Sequence, residues 1–176
     1  MPQLVALLRA VNVGAANRIT MDELRGIFAS LGLESVTTYL QSGNVVFAAK
    51  SGAQDSVRRE IERALTRRFR NEMTAVLRTR AQLQAVVKDS PFNKHIAEGA
   101  LPYITFLDNR TPAPALGVTP RGDLEIVRAR PSEIFTLGLK VKGHYGNPNA
   151  YLERVLKTKA TTRNWNVVQA LAKADA

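Results

Sequence analysis

A nearly continuous apolar run, QLVALLRAV from Gln3 to Val11, constrains the fold more than any other feature of this chain. A strand with one wet face alternates apolar and polar residues, whereas one buried on both faces reads as an unbroken apolar stretch, so the run predicts a central strand. It ends in the loop NVGAANRI. Thr20 and Glu23 then have capping-box spacing, and Met21, Leu24, Ile27, Phe28 and Leu31 recur at helical intervals up to Gly32, a plausible C-terminal stop. Val36–Gln41 and Asn44–Ala49 are rich in branched and aromatic residues and flank Ser42-Gly43, which predicts a hairpin. From Asp55 to Arg70, Val57, Ile61, Ala64, Leu65 and Phe69 share one helical face, and Arg58, Arg59, Arg63, Arg67 and Arg70 occupy the rest.

A further strand from Met73 to Thr79 completes the order βαββαβ. That is the split β-α-β order of a ferredoxin-like half, with helices on one face of an antiparallel sheet. The remainder predicts a short helix from Arg80 to Val87, strands near Leu101–Leu107, Asp123–Arg128 and Ile134–Lys140, and closing helices near Ala150–Lys157 and Arg163–Lys173. Pro112, Pro114 and Pro120 confine pairing between the first two of those strands. The expected fold class is α+β in two packed subdomains, 1–79 ferredoxin-like and 80–176 an antiparallel sheet with helices.

With 176 residues and 45% apolar content the chain can bury a sizeable core. It has no cysteine, which removes disulfides, thiol nucleophiles and thiolate metal sites and fits a reducing cytoplasm. No run approaches the roughly 20 apolar residues a bilayer crossing needs, and no leader-like segment opens the chain, so a cytoplasmic location without membrane insertion is expected. The net charge of +10 is concentrated. Residues 50–88 hold ten basic against four acidic side chains, and residues 140–165 hold six against one. Such blocks attract polyanions at long range, or serve only to solubilise the surface.

Three segments, LLRAVNVGAANRITMDELR, TYLQSGNVVF and TTRNWNVVQAL, resemble the signatures of the domain-of-unknown-function 1697 family in order and separation. The resemblance spans nearly the whole chain. It implies an α+β fold of two subdomains, the first similar to ferredoxin-like domains, and no established activity. Ala10 and Ala15 stand where the family usually has glycine, and Asn147-Pro148-Asn149 replaces its usual Ser-Lys element. A methyl group at position 10 argues against close approach of that backbone to a ligand.

Chemistry concentrates in three places. The loop Asn12 to Arg18 leads into a helix N-terminus, where free N–H groups and the helix dipole favour an anion; Arg9, Asn12, Gly14 and Arg18 are its candidates. The loop matches neither nucleotide-binding glycine pattern, and its asparagines and glycine also suit a turn with no ligand. In Thr161–Asn166 (TTRNWN), Thr162 reads as an N-cap and Trp165 as a core anchor. Lys157, Lys159 and Arg163 would then converge on a helix N-terminus, where cations are disfavoured unless an acidic side chain or an anionic ligand sits among them. Lys159, Arg163 and Asn164 thus join the candidate anion site, which the first loop could share. The third place is the basic exterior, where Arg58, Arg59, Arg63, Arg67, Lys140 and Lys142 are candidates for nucleic-acid backbone contact.

Other polar residues carry less. Gln41 and Asn44 either shape the hairpin or present amides to a ligand. His144 sits in a basic loop where an imidazole can act as acid or base, although an exposed histidine needs no such role. His95 receives no assignment, and capping explains Asp22 and Glu23. No metal-ligand spacing, Gly-x-Ser-x-Gly element or cofactor motif is present. With no aromatic between Gln3 and Val11, base stacking on the sheet is not expected. The expected function is binding of an anionic partner, nucleic acid first. A phosphorylated small molecule, bound or acted on, is the alternative, and a protein-interaction module the third possibility.

Overall fold

A computed structural model describes residues 2–40, 42–50, 54–94 and 96–174. The fold is α+β, and the chain divides into two compact units. The first comprises the described residues of Met1–Gln84 with those of Leu171–Ala176, and the second is Ala85–Ala170. One cut falls inside a helix near position 84 and the other inside the last helix.

In the first unit the order is β1 (Gln3–Leu8), α1 (Met21–Ser30), β2 (Glu34–Tyr39), β3 (Asn44–Ala48), α2 (Gln54–Phe69), β4 (Ala75–Thr79) and α3 (Arg80–Lys88), whose last four residues fall to the second unit. The sheet runs β2-β3-β1-β4 and every pairing is antiparallel. β1 is therefore central, as its apolar run requires, and residues Leu4 to Leu8 are all buried. Alternation sends Leu4, Ala6 and Leu8 to one face, where Val45, Phe47, Ala75 and Leu77 join them against Leu24 and Phe28 of α1 and Ile61 and Leu65 of α2. Phe28 and Phe47 meet edge to face with centroids 5.4 Å apart. Polar β2 takes the edge of the sheet, where a half-wet strand with a register shift after Glu34 is tolerated.

The loop after β1 is held in shape by its own asparagines. Asn12 Oδ1 accepts from Ile19 N (2.9 Å) while Asn12 Nδ2 donates to Ile19 O (3.1 Å), and Asn17 Nδ2 donates to Ala10 O (2.9 Å). Ala10 sits at φ 58° and Asn12 at φ 54°. Asparagine enters this left-handed region with little strain, but alanine does so at a cost of roughly 1–2 kcal/mol. Ala10→Gly is expected to raise the unfolding free energy by about 0.5–1 kcal/mol, since relief of the strain outweighs the extra freedom of glycine in the unfolded chain; urea denaturation measures this.

The second unit contains β5 (Leu101–Leu107), β6 (Gly117–Val118), β7 (Leu124–Ala129), β8 (Glu133–Gly138), β9 (Lys140–Val141), β10 (His144–Tyr145), α4 (Pro148–Leu156), β11 (Ala160–Asn164) and α5 (Trp165–Lys173), whose last three residues fall to the first unit. A five-stranded antiparallel sheet runs β11-β5-β8-β7-β6. Leu107, Ile126, Ile134 and Ala160 pack with Leu152 of α4. Ile104, Phe106 and Phe135 point to the opposite face, where Phe92 lies edge to face with both Phe135 and Trp165 at 6.0 and 5.8 Å. No helix among the described residues is long and apolar enough to cross a membrane.

The C-terminal segment corrects one expectation. Residues 160–164 form a strand, not the start of the last helix, and Thr162 is not a helix cap. All four residues of TTRN pair with β5, opposite Phe106, Thr105, Ile104 and Tyr103, and a strand neighbour outweighs the weak helix propensity of threonine and asparagine.

Candidate functional site

α2 buries Ile61 and Leu65, so residues half a turn away face solvent. Arg59, Arg63 and Arg67 follow one another at intervals of four on that outer face, with Arg70 just past the helix end, and all four are exposed. The three helical guanidiniums line up along about 12 Å of helix axis. Among the described residues, no carboxylate engages any of them. Arg58, by contrast, contacts Glu62 at 3.3 Å and Asp55 at 3.9 Å. Arg68 turns away to grip Glu23, holding that carboxyl below the usual carboxylate range mainly through the hydrogen bond.

Like charges four residues apart destabilise a helix by about 0.2–0.5 kcal/mol per pair. The dipole compensates Arg67, in the last turn, but not Arg59 or Arg63. Exposed Glu60 borders the row without bonding to it.

The first loop opens onto a cleft of about 700 Å³ that includes Asn12, Arg18, Thr20, Arg25 and Arg68. Thr20 Oγ1 caps α1 by accepting from Glu23 N at 3.1 Å. Of the three cations, Arg25 is bound by Asp22 and Arg68 by Glu23, which leaves exposed Arg18 as the one among the described residues not met by a carboxylate. Gly14 and Arg9 do not line the cleft. A Cβ on Gly14 would meet nothing within 4 Å, so its φ of 59° is what suits glycine there. In the hairpin, buried Asn44 donates from Nδ2 to Tyr39 O and Ser42 Oγ, both at 2.9 Å, closing the turn instead of facing outward. Gln41 lies outside the described residues.

Arg163 stands on β11 opposite Ile104, on the apolar face of the sheet, and is only 8% exposed. It donates from Nη1 to Thr161 Oγ1 at 2.6 Å and to Thr162 O at 2.9 Å. Burial lowers its pKa to about 10. Arg163 therefore sits on a strand face beneath the sheet and not among cations crowding a helix N-terminus. Thr162, on the other face, shares hydrogen bonds with Thr105 (2.8 Å) and Asn149 (3.1 Å). Trp165 is buried as an anchor, and Asn164 lines a dent of about 120 Å³. Lys159 is half-buried beside β11.

A basic group with a lowered folded pKa is unfavourable to the fold while charged, and this penalty fades as pH rises through about 10 toward the unfolded value. The unfolding free energy of the wild type should therefore rise relative to Arg163→Met by about 1 kcal/mol between pH 9 and 11, read by urea denaturation at each pH.

Lys140 and exposed His144 belong to a small hairpin turning at Lys142 (φ 48°) and Gly143 (φ 84°), so that basic segment is a formed β-turn. These lysines and the α2 arginines fall in different units. So do Asn12 and Arg163. Among the described residues no group of three or more His, Asp or Glu side chains is placed to hold a metal ion. Sequence reasoning missed Arg25 and Arg68 at the cleft. Their helical phase was legible, but the pairing of Glu23 with a residue 45 positions away was not.

Residues 1–135 match the family model described as "Protein of unknown function (DUF1697)". A comparison with curated proteins finds no match. Among solved structures, the chain is similar to one titled as conserved bacterial protein SP0830 from Streptococcus pneumoniae, with a TM-score of 0.68 and 19% identity over 98% of this chain and 97% of that one. The likeness is one of fold.

Proposed function

This chain belongs to the DUF1697 family of proteins of unknown function, and from that premise, which leaves the activity open, we propose that it binds the phosphate backbone of nucleic acid along the outer face of α2. The observation that carries this reading is the row Arg59, Arg63, Arg67, exposed and without a carboxylate partner among the described residues. A row of equal charges on one helix face complements a regularly charged polymer, and release of counterions from that polymer drives the association. Contacts of this type carry no base information, so binding is independent of sequence.

The helix is favoured over the sheet as the contact surface. We read the first unit as ferredoxin-like, since its sheet order and its two helices on one face suit that arrangement. RNA-recognition modules of this kind stack bases on exposed sheet aromatics, whereas here the one aromatic on β1 and β3, Phe47, is buried. A cytoplasmic site of action agrees with the cysteine-free composition. Fluorescence anisotropy with labelled duplex DNA and single-stranded RNA, titrated with salt, tests the proposal: affinity for both should fall linearly on a log–log plot, and no binding to either at about 50 mM salt ends it.

A second reading is favoured by Arg18 alone, at the mouth of the cleft beside the α1 N-terminus: a small phosphorylated molecule held there. The neutralised state of Arg25 and Arg68 ranks it lower. Thermal stabilisation by one phosphorylated metabolite, lost in Arg18→Gln and kept in the α2 variants, would favour it over the first.

A further inference from the structure

In the second unit, a groove of about 610 Å³ lies between the β6–β7 hairpin and α4. We propose that it is a binding site for a small molecule that combines a planar aromatic ring with one anionic group, a phosphate or a carboxylate. The volume falls in the range of about 300–1,000 Å³ usual for small-molecule sites. Leu124, Val155 and Tyr151 supply apolar lining, and Val155 is 45% exposed although it stands on a helix that buries its opposite face.

Two guanidiniums line the same groove. Arg154 lies over the Tyr151 ring, 5.4 Å from its centroid, which steadies an otherwise mobile side chain. Arg121 occupies the third position of the turn Thr119-Pro120-Arg121-Gly122. That turn is closed by Gly122 N donating to Thr119 O at 2.8 Å and stiffened by the proline. Both arginines are exposed, and among the described residues neither is engaged by a carboxylate. Asp123, the one acid of the lining, accepts from Thr119 Oγ1 at 3.2 Å. The groove thus carries a net charge of +1 at neutral pH, which matches a single anionic group.

The walls are fixed to each other. A Cβ on Gly146 would stand 2.6 Å from Leu124 Cγ and 2.7 Å from Asp123 O, so the segment entering α4 touches the hairpin directly and no larger residue fits. Asn147 then caps α4 by accepting from Ala150 N at 3.0 Å. A preformed groove with an aromatic platform, one cation steadied on that platform and a second carried on a closed turn meets the requirements for orienting a flat anion: the ring stacks on the Tyr151–Arg154 pair, and Arg121 takes the charge.

The test is an NMR titration of the full chain with phenyl phosphate and adenosine monophosphate, using inorganic phosphate and benzyl alcohol as controls. At least one of the two ring-bearing anions should shift the amides of Gly122, Ala150, Tyr151 and Arg154 at millimolar concentration, and Arg121→Gln and Arg154→Gln should each weaken binding about 10-fold without altering the unliganded spectrum elsewhere. Tyr151→Leu should also weaken it. No shift with either ring-bearing anion overturns the proposal. So do shifts confined to α2, equal binding of inorganic phosphate, equal binding of benzyl alcohol, or affinities unchanged in both arginine variants. Because the α2 arginines remain in every groove variant, failure here is separable from failure of nucleic-acid binding.

Discussion

Replacing Arg59, Arg63 and Arg67 together by glutamine is expected to lower nucleic-acid affinity by at least two orders of magnitude at low salt while making the protein slightly more stable. Each phosphate neutralised contributes about −0.9 to the slope of log K against log salt on duplex DNA, so loss of three contacts should flatten that slope by about 2.7. Glutamine and arginine have nearly equal helix propensity. Removal of two like-charge pairs should even stabilise α2 slightly, by about 0.4–1 kcal/mol in all. Binding and stability therefore move in opposite directions, which a misfolded variant cannot imitate. Arg58→Gln serves as the contrast. That arginine is held by Glu62, and its loss should flatten the slope by less than any of the other three. A slope unchanged in the triple variant would place the polyanion elsewhere and remove α2 from the account.

Phe47→Ala is the substitution with the largest expected cost to the fold, roughly 3–5 kcal/mol. Phe47 is fully buried on β3, sits across from Leu4 of β1, and meets Phe28 of α1 edge to face. Truncation removes a large apolar group and the aromatic pair together, and the sheet beneath cannot collapse into the space without breaking its ladder. Against a total of about 5–15 kcal/mol for a domain, this is a large fraction. Phe47→Leu, which keeps most of the volume, should cost much less. Urea unfolding followed by circular dichroism measures both. Because α2 docks on the same core through Ile61 and Leu65, conditions that unfold Phe47→Ala should also abolish nucleic-acid binding.

Elements whose pattern is local were readable in advance. The apolar run of β1 announced a central strand, the 3.6-residue spacing of α1 and α2 announced amphipathic helices, and Ser42-Gly43 announced the hairpin turn. The arginine row followed from the same periodicity, since the phase that buries Ile61 and Leu65 turns Arg59, Arg63 and Arg67 outward. Segment 160–164 was misread because its residues have weak preferences of their own. Its strand identity comes from β5, more than 50 positions earlier in the chain.

That contrast states the division in physical terms. Periodicity, caps and turns depend on neighbours within a few residues, so helix faces, the central strand and the outward row of positive charge are encoded in short windows of the chain. Which charges are cancelled depends on long-range closure. Glu23 meets Arg68 across 45 residues, and Arg163 disappears into an apolar face because a strand neighbour claims its backbone. Folding therefore settled where the chain's positive charge remains available to a partner, since a cation's availability is set by the groups that distant segments bring beside it.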